Sequence, residues 1–187
     1  MSNALLAASE TDAAQVVTLR EAKAHLRITL DAEDDRTMVE LDAAISWAAD
    51  YMRRPVRRTQ YTLSMPTWDR LRNNRAGVHL RGYVASVDSI EYTDSAGTLQ
   101  TIASSVYEVK TGTHHAEVRE LPNQSWPGLN EYMEAVKVTY TAGYTQADVP
   151  FPIKQAILLK LEHIHDDSAA ALSSAESLCM AWILPPW

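Results

Sequence analysis

Histidines beside acidic residues are the side chains in this sequence best suited to chemistry. Glu162 and His165 form a Glu-x-x-His pair, which is half of the ligand set of a di-iron helical bundle. A complete set needs a second such pair and two further glutamates, and the sequence has no second pair. His163 and His165, which precede Asp166-Asp167, point about 200° apart on a helix, so they are poorly placed to share a metal ion. A solvated helix end is the simpler interpretation.

The other reactive residues give no catalytic pattern. The tandem His114-His115 is the second cluster of metal-type ligands, and Cys179 is the single cysteine. A lone cysteine excludes a disulfide within the chain, and apolar neighbours make a thiol inert because burial raises its pKa. The sequence contains no glycine-rich phosphate loop and no G-x-S-x-G elbow. We therefore expect no enzymatic activity, no metal and no cofactor.

Composition indicates a globular chain of net negative charge. Of the 187 residues 46% are apolar and 22% are charged, and the formal net charge is −7. A chain of this sign does not bind DNA through a general electrostatic field, because phosphate binding needs clustered lysine and arginine. No run approaches the roughly 20 apolar residues of a membrane helix, and the first residues lack the basic region of a secretory signal. We expect a soluble intracellular product.

Helical periodicity predicts three main helices near the two ends of the chain. They span residues 19–27, 33–53 and 152–166. Thr18 and Glu21 form a capping box at the start of the first helix. Pro150 and Pro152 open the third, where a missing amide does no harm. The second helix is indicated by an apolar stripe at spacings of three and four, formed by Met38, Leu41, Ile45, Ala48 and Met52, which we expect to face the core.

Between these helices the period changes to that of strands. Tyr61, Leu63 and Met65 alternate with polar residues, and further alternating runs follow as far as residue 140, separated by short turn sequences. The fold class is therefore α+β, a small helical bundle of three main helices with an inserted antiparallel β-rich region. The predicted parts are a flexible N-terminal arm at 1–16, a helical core at 17–58 and 150–172, a β-rich insertion at 59–149 and a C-terminal tail at 173–187.

The third helix has an apolar arc of roughly 260°, which is too wide for a surface helix of a monomer. Two explanations stay open. The helix lies in the middle of its own domain, or it packs on its own bundle with one side and on a neighbouring subunit with the other. The candidate inter-subunit residues are Ile153, Ile157, Leu158, Leu161 and Ile164.

The end of the sequence is unusually apolar and aromatic. A free chain end is normally polar, so this segment either folds back on its own domain or inserts into a partner. A proline pair favours an extended segment that a groove can hold, which supports the partner interpretation. The candidate partner-binding residues are Leu178, Trp182, Ile183, Leu184, Pro185, Pro186 and Trp187.

Arginines are concentrated between positions 53 and 81. This segment contains eight arginines and one acidic residue, so its net charge is +7 and that of the rest of the chain is −14. The simple interpretation is a solvated basic edge. The alternative is a contact patch for an acidic partner surface, with candidate residues Arg53, Arg54, Arg57, Arg58, Arg70, Arg72 and Arg75.

The order of these parts resembles the head–tail connector (adaptor) proteins of tailed bacteriophages, which also occur in gene transfer agents. The stretch VTLREAKAHLRI and the following DAEDDRTMVELDAAISWAADYM are similar to the first two helices of that family. The later stretch SWPGLNEYMEAVKVTYTAGYTQADVPFPIKQAILLKLEHIH is similar to its Trp-Pro loop, its strand ending in Tyr-x-Ala-Gly-Tyr (Tyr140 to Tyr144) and its last main helix. The resemblance covers about residues 17–165.

The resemblance implies a structural protein of the virion neck, made in the host bacterial cytoplasm. About twelve copies would form a ring beneath the portal protein, with a tail-side neck protein (stopper or tail terminator) on the other face and DNA passing through the lumen without specific binding. The apolar C-terminal segment would contact the portal. The alternatives are another neck or tail-completion component and, from a different class, a metal-dependent hydrolase that uses residues 162–167.

Overall fold

The structure, a computed structural model, describes residues 6–9, 16–68, 77–130 and 134–184. The chain divides into two compact units, and each is made of segments that are distant in sequence. The sheet unit comprises Met1–Asp12 and Thr59–Gly143, and the helical unit comprises Ala13–Arg58 and Tyr144–Trp187. The candidate residues Arg70, Arg72, Arg75, Pro185, Pro186 and Trp187 lie outside the described residues.

The described part of the helical unit contains four α-helices, one more than the three main helices predicted. They are α1 (Leu19–Leu26), α2 (Asp34–Met52, preceded by a short 3-10 turn at Asp31–Glu33), α3 (Phe151–Asp166) and α4 (Ala169–Met180). The fourth helix falls across the predicted boundary between core and tail at residue 173. Its exposed residues are alanine, serine and Met180, so it shows little contrast between apolar and charged positions.

Local chemistry explains where these helices begin and end. The Thr18 hydroxyl accepts a hydrogen bond from the Glu21 amide at 3.2 Å, and the Glu21 carboxylate accepts one from the Thr18 amide at 2.8 Å. The predicted capping box is therefore present. Three helices end on residues in the left-handed region, namely Arg27, Arg53 and Asp167, with φ between 55° and 59°.

Helix α3 contacts α1, α2 and α4 within the helical unit. Ile153, Ile157 and Leu161 have no exposed surface, and Leu158 and Ile164 are half-buried. Packing against helices of the same chain accounts for the buried part of the wide apolar arc of α3, and Leu158 and Ile164 keep part of their surface exposed.

The sheet unit contains two antiparallel sheets. The five-stranded sheet has the order β1-β2-β8-β4-β5, and the three-stranded sheet has the order β3-β7-β6. The strands are β1 (Leu6–Ser9), β2 (Thr59–Met65), β3 (Gly77–Arg81), β4 (Val84–Thr93), β5 (Leu99–Thr101), β6 (Tyr107–Thr111), β7 (His115–Glu120) and β8 (Val136–Ala142). The α+β class is confirmed. Two strands were not predicted, β3 in the arginine-rich segment and β1 in the segment assigned to an arm.

Alternation along the central strand β8 gives the sheet unit its core. Val136, Val138, Tyr140 and Ala142 are all buried, and the residues between them are half-buried. Burial raises the pKa of Tyr140 to about 12. Trp68 belongs to this core, and its indole nitrogen donates to the Pro127 carbonyl at 2.9 Å.

The burial of α3 predicts that two neighbouring substitutions lower the free energy of unfolding by different amounts. Ile157→Ala removes a fully buried side chain and should lower the free energy of unfolding by about 2–5 kcal/mol. The matched control Leu158→Ala removes a half-buried side chain and should cost clearly less. Urea unfolding followed by circular dichroism measures both. A cost for Leu158→Ala equal to that of Ile157→Ala would contradict the packing described here.

Candidate functional site

The histidines and the glutamate near the end of α3 each contact a different partner. His25 Nε2 lies 3.0 Å from Glu162 Oε2, and His165 Nδ1 lies 2.8 Å from Glu40 Oε2. His163 Nδ1 lies 3.1 Å from the Ser168 carbonyl oxygen. Among the described residues, no group of three histidine, cysteine, aspartate or glutamate side chains is arranged to hold a metal ion. Glu162 and His165 therefore connect helices through separate contacts and do not point at a common metal site.

These contacts join α3 to the two helices from the first part of the chain. His25 with Glu162 links α1 to α3, and His165 with Glu40 links α2 to α3. Lys154 adds a second link to α1 through Glu21, at 2.9 Å. The Thr18 backbone amide is the main cause that lowers the pKa of Glu21, and Lys154 lowers it further.

The histidines of the three-stranded sheet and the single cysteine lie in environments that do not favour catalysis. His79 and His115 in the three-stranded sheet lie edge to face, with ring centroids 5.4 Å apart. Burial lowers the pKa of His79, which favours a neutral ring. Cys179 on α4 is fully buried, and burial raises the pKa of its thiol to about 11. A thiol in this state is a poor nucleophile.

Three of the four described arginines of the predicted basic patch make contacts inside the helical unit. Arg54 is only 3% exposed, and its guanidinium donates to the Tyr144 hydroxyl at 2.8 Å and to the Trp182 carbonyl at 3.4 Å. The same guanidinium lies over the rings of Tyr144 and Trp182, 5.6 and 5.7 Å from their centroids. Burial lowers the pKa of Arg54. Arg54 therefore holds the fold together and is not available to a partner surface.

The next two arginines of the predicted patch form ion pairs. Arg57 pairs with Asp42 on α2, and Arg58 lies 2.9 Å from Asp148. Arg53 is exposed at the end of α2. Of the candidate arginines that the structure describes, Arg53 alone is exposed.

The apolar C-terminal segment folds back on its own unit as far as residue 184. Leu184 is 3% exposed, and its amide donates to the Met52 carbonyl at the end of α2, at 3.0 Å. Trp182 and Leu178 are half-buried, and Ile183 is 36% exposed. Residues 178–184 therefore pack in part on their own unit, while Met180, 65% exposed, and Ile183 keep apolar surface in contact with solvent.

Sequence reasoning missed an exposed surface on α1 and α2. A hollow of about 430 Å³ is lined by Leu19, Arg20, Lys23, Ala24, Ile28 and Asp34. On α2, Val39 is 70% exposed, and Met38 is 41% exposed although its spacing predicted a buried position. The stripe was assigned one residue too wide, because Met38 lies at the border of the buried face. None of the helices in the described ranges is long and apolar enough to cross a membrane.

Comparison with known proteins shows the fold of the whole chain. No protein-family model matches the sequence, and no curated protein matches it. The structure is similar to a chain in the neck of an empty gene transfer agent particle computed with C6 symmetry (TM-score 0.73, 18% identity). It is also similar to a chain in a native gene transfer agent virion (TM-score 0.74, 19% identity) and to one in a native neck computed with C12 symmetry (0.69, 18%). Each match covers 98% of this chain and 97% of the other.

The buried guanidinium of Arg54 predicts that Arg54 contributes much more to the stability of the fold than its neighbour Arg53. Arg54→Ala leaves a cavity and removes the donors to Tyr144 and Trp182, so it should lower the free energy of unfolding by at least about 2 kcal/mol. The control Arg53→Ala changes an exposed side chain and should stay within about 0.5 kcal/mol of the wild type. Chemical unfolding of the two variants tests this, and equal costs would refute the role assigned to Arg54.

Glu40 predicts a specific dependence of stability on pH. Burial raises the pKa of this carboxyl, but hydrogen bonds from His165 and Arg36 outweigh burial and hold the pKa below its ordinary value of 4.5. The contribution of Glu40 is therefore present above about pH 4.5 and is lost as the pH falls through the lower pKa of the folded protein. Glu40→Gln should be less stable than the wild type at pH 7, and this deficit should shrink towards pH 3. A deficit that stays constant across urea titrations at both pH values would show that the Glu40 charge is unimportant.

Proposed function

We propose that this chain is a structural head–tail connector (adaptor) subunit of a tailed bacteriophage or a gene transfer agent particle. The carrying observation is the similarity of fold to chains of gene transfer agent necks and virions, since it spans 98% of this chain and 97% of the other chain in each case. A fold alone does not define a function. The proposal therefore also depends on what the side chains do.

The side chains support a scaffold role and not catalysis. Glu162, His163 and His165, the best candidates for metal chemistry, each contact a separate protein group. Cys179 is buried with a raised pKa. A metal-dependent hydrolase that uses residues 162–167 is disfavoured, because these groups hold α3 against its neighbours. The connector needs no cofactor.

The connector would work as a closed ring of copies that joins the capsid to the tail. The similar chains come from assemblies that include necks computed with C6 and C12 symmetry, and a ring is built from heterologous contacts between identical subunits. One face of the ring meets the portal protein, and the other meets a tail-side neck protein, a stopper or a tail terminator. The net charge of −7 suits a conduit through which DNA passes without specific binding.

The segment that would reach the portal begins close to the end of the described chain. Leu184 is anchored to Met52. Of the large apolar residues in the described tail, Met180 and Ile183 are the most exposed, and we assign the portal contact to Ile183 together with residues 185–187. The subunit would be made in the host bacterial cytoplasm and would act in the virion neck at the portal vertex. Another neck component, such as a stopper or a tail terminator, is the second candidate, because a neck contains several kinds of subunit.

Co-expression with the portal protein encoded near this gene tests the proposal. Affinity purification and negative-stain imaging should show portal particles that carry an added ring of density. A variant that ends at Leu184 keeps the anchor to Met52 and should bind the portal at least about tenfold more weakly, because the last three residues of the proposed contact are lost. Folded chain that never co-purifies with folded portal would overturn the connector role and favour a tail-side component.

A further inference from the structure

Helix α1 presents a basic face to solvent that has no partner of opposite charge among the residues that the structure describes. Arg20, Ala24 and Arg27 are all exposed and follow one another at i, i+4 and i+7, with Arg27 as the C-terminal cap. Within the described ranges, neither Arg20 nor Arg27 forms an ion pair. The neighbouring Lys23 is neutralised, because its ammonium contacts both Asp31 and Asp34. The two arginines thus supply the positive charge of this face.

A hollow of about 430 Å³ lies on the same side of α1. Leu19, Ala24 and Ile28 supply apolar surface, and Arg20 supplies positive charge. The other two lining residues, Lys23 and Asp34, form an ion pair with each other. Leu19 and Ile28 are only half-buried in the chain. A basic edge around an apolar floor suits an acidic ridge with an apolar side chain at its middle.

The outer face of α2 is such a ridge. Asp35, Val39 and Asp42 are exposed and are also spaced i, i+4 and i+7. They lie opposite the buried face of α2 that holds Leu41 and Ile45. Val39 is 70% exposed between the two carboxylates. Asp42 contacts Arg57, but its side chain is still 58% exposed and can accept another hydrogen bond.

The two faces match in length as well as in charge. In each, the outer charged residues are seven positions apart, which corresponds to about 10.5 Å along a helix axis. In each, the middle residue is apolar, Ala24 on α1 and Val39 on α2. Two helices lying side by side would bring Val39 onto Ala24 and the hollow while each aspartate meets an arginine.

We infer that the α2 ridge of one copy docks in the α1 hollow of the next copy, and that this contact repeats around the ring. The inference rests on the proposed function, and it names the surfaces through which the subunits meet. A face-to-face pairing of two identical ridges would oppose aspartate to aspartate, so charge favours the contact between unlike faces. Contacts between unlike faces are the kind that close into rings.

Charge reversal tests the contact in portal–ring particles made by co-expression. Arg20→Glu with Arg27→Glu should reduce the ring on the portal at least about tenfold, and Asp35→Lys with Asp42→Lys should do the same. The chain carrying all four changes should regain the ring, because every contact is then reversed on both sides. The control Lys110→Glu reverses an exposed basic residue of the sheet unit, outside both faces, and should leave the ring unchanged. Circular dichroism melting establishes that each variant is folded.

Cysteine cross-linking gives an independent readout that does not depend on charge. Ala24→Cys combined with Val39→Cys should give a ladder of dimers, trimers and larger species after mild oxidation of the particles, whereas either change alone should give no ladder. The natural Cys179 is fully buried, so the introduced thiols are the ones that react.

The outcomes separate the inference from the proposed function. A wild-type chain that forms no ring on folded portal overturns both. Wild-type rings that persist in the folded reversal variants, with no ladder from the double cysteine chain, overturn the inference alone. Reversal variants that keep the ring but lose a tail-side neck protein would assign the hollow to that protein and likewise overturn the contact between copies.

Discussion

Burial of α3 is the constraint on which the rest of the helical unit depends. Ile153, Ile157 and Leu161 have no exposed surface, because α1, α2 and α4 all pack on the same helix. A helix buried on several sides can keep polar residues only where each one has a partner. This requirement explains why Lys154, Glu162, His163 and His165 all reach groups in the same unit, and why residues that could have done chemistry serve as fasteners.

Contacts around Tyr144 join the two halves of the helical unit. Backbone hydrogen bonds join the strand-like stretch after α2 to the stretch before α3: the Tyr144 amide donates to Val56 at 2.8 Å, and the Arg58 amide donates to Tyr144 at 3.1 Å. Arg54 completes this junction by bridging Tyr144 and Trp182. The chain thus leaves the helical unit and returns to it at one place, and the segment between can form a separate unit.

Much of this fold is readable from the sequence, and the failures have physical causes. The capping box at Thr18 and the alternation in β8 report strictly local preferences, so they were predictable. The partners of Arg54 were not, because Tyr144 and Trp182 lie 90 and 128 positions away and a run of arginines is normally solvated. Helix α4 was not predicted because it has no charged face to contrast with its apolar one. The exposed ridge on α2 was not predicted because Val39 is a single apolar residue among acidic ones and does not belong to an apolar stripe.

The split of the helical unit has a consequence for synthesis on the ribosome. Helices α1 and α2 emerge first, but α3 follows only after the whole of Thr59–Gly143 has been translated. At about 5–20 residues per second this interval is roughly 4–17 s. During that time the apolar face of α2 lacks the helices α3 and α4 that cover part of it in the folded unit, and the nascent chain is vulnerable to aggregation until α3 arrives. A chaperone that covers this face, or early folding of the intervening sheets, would protect the chain during the delay.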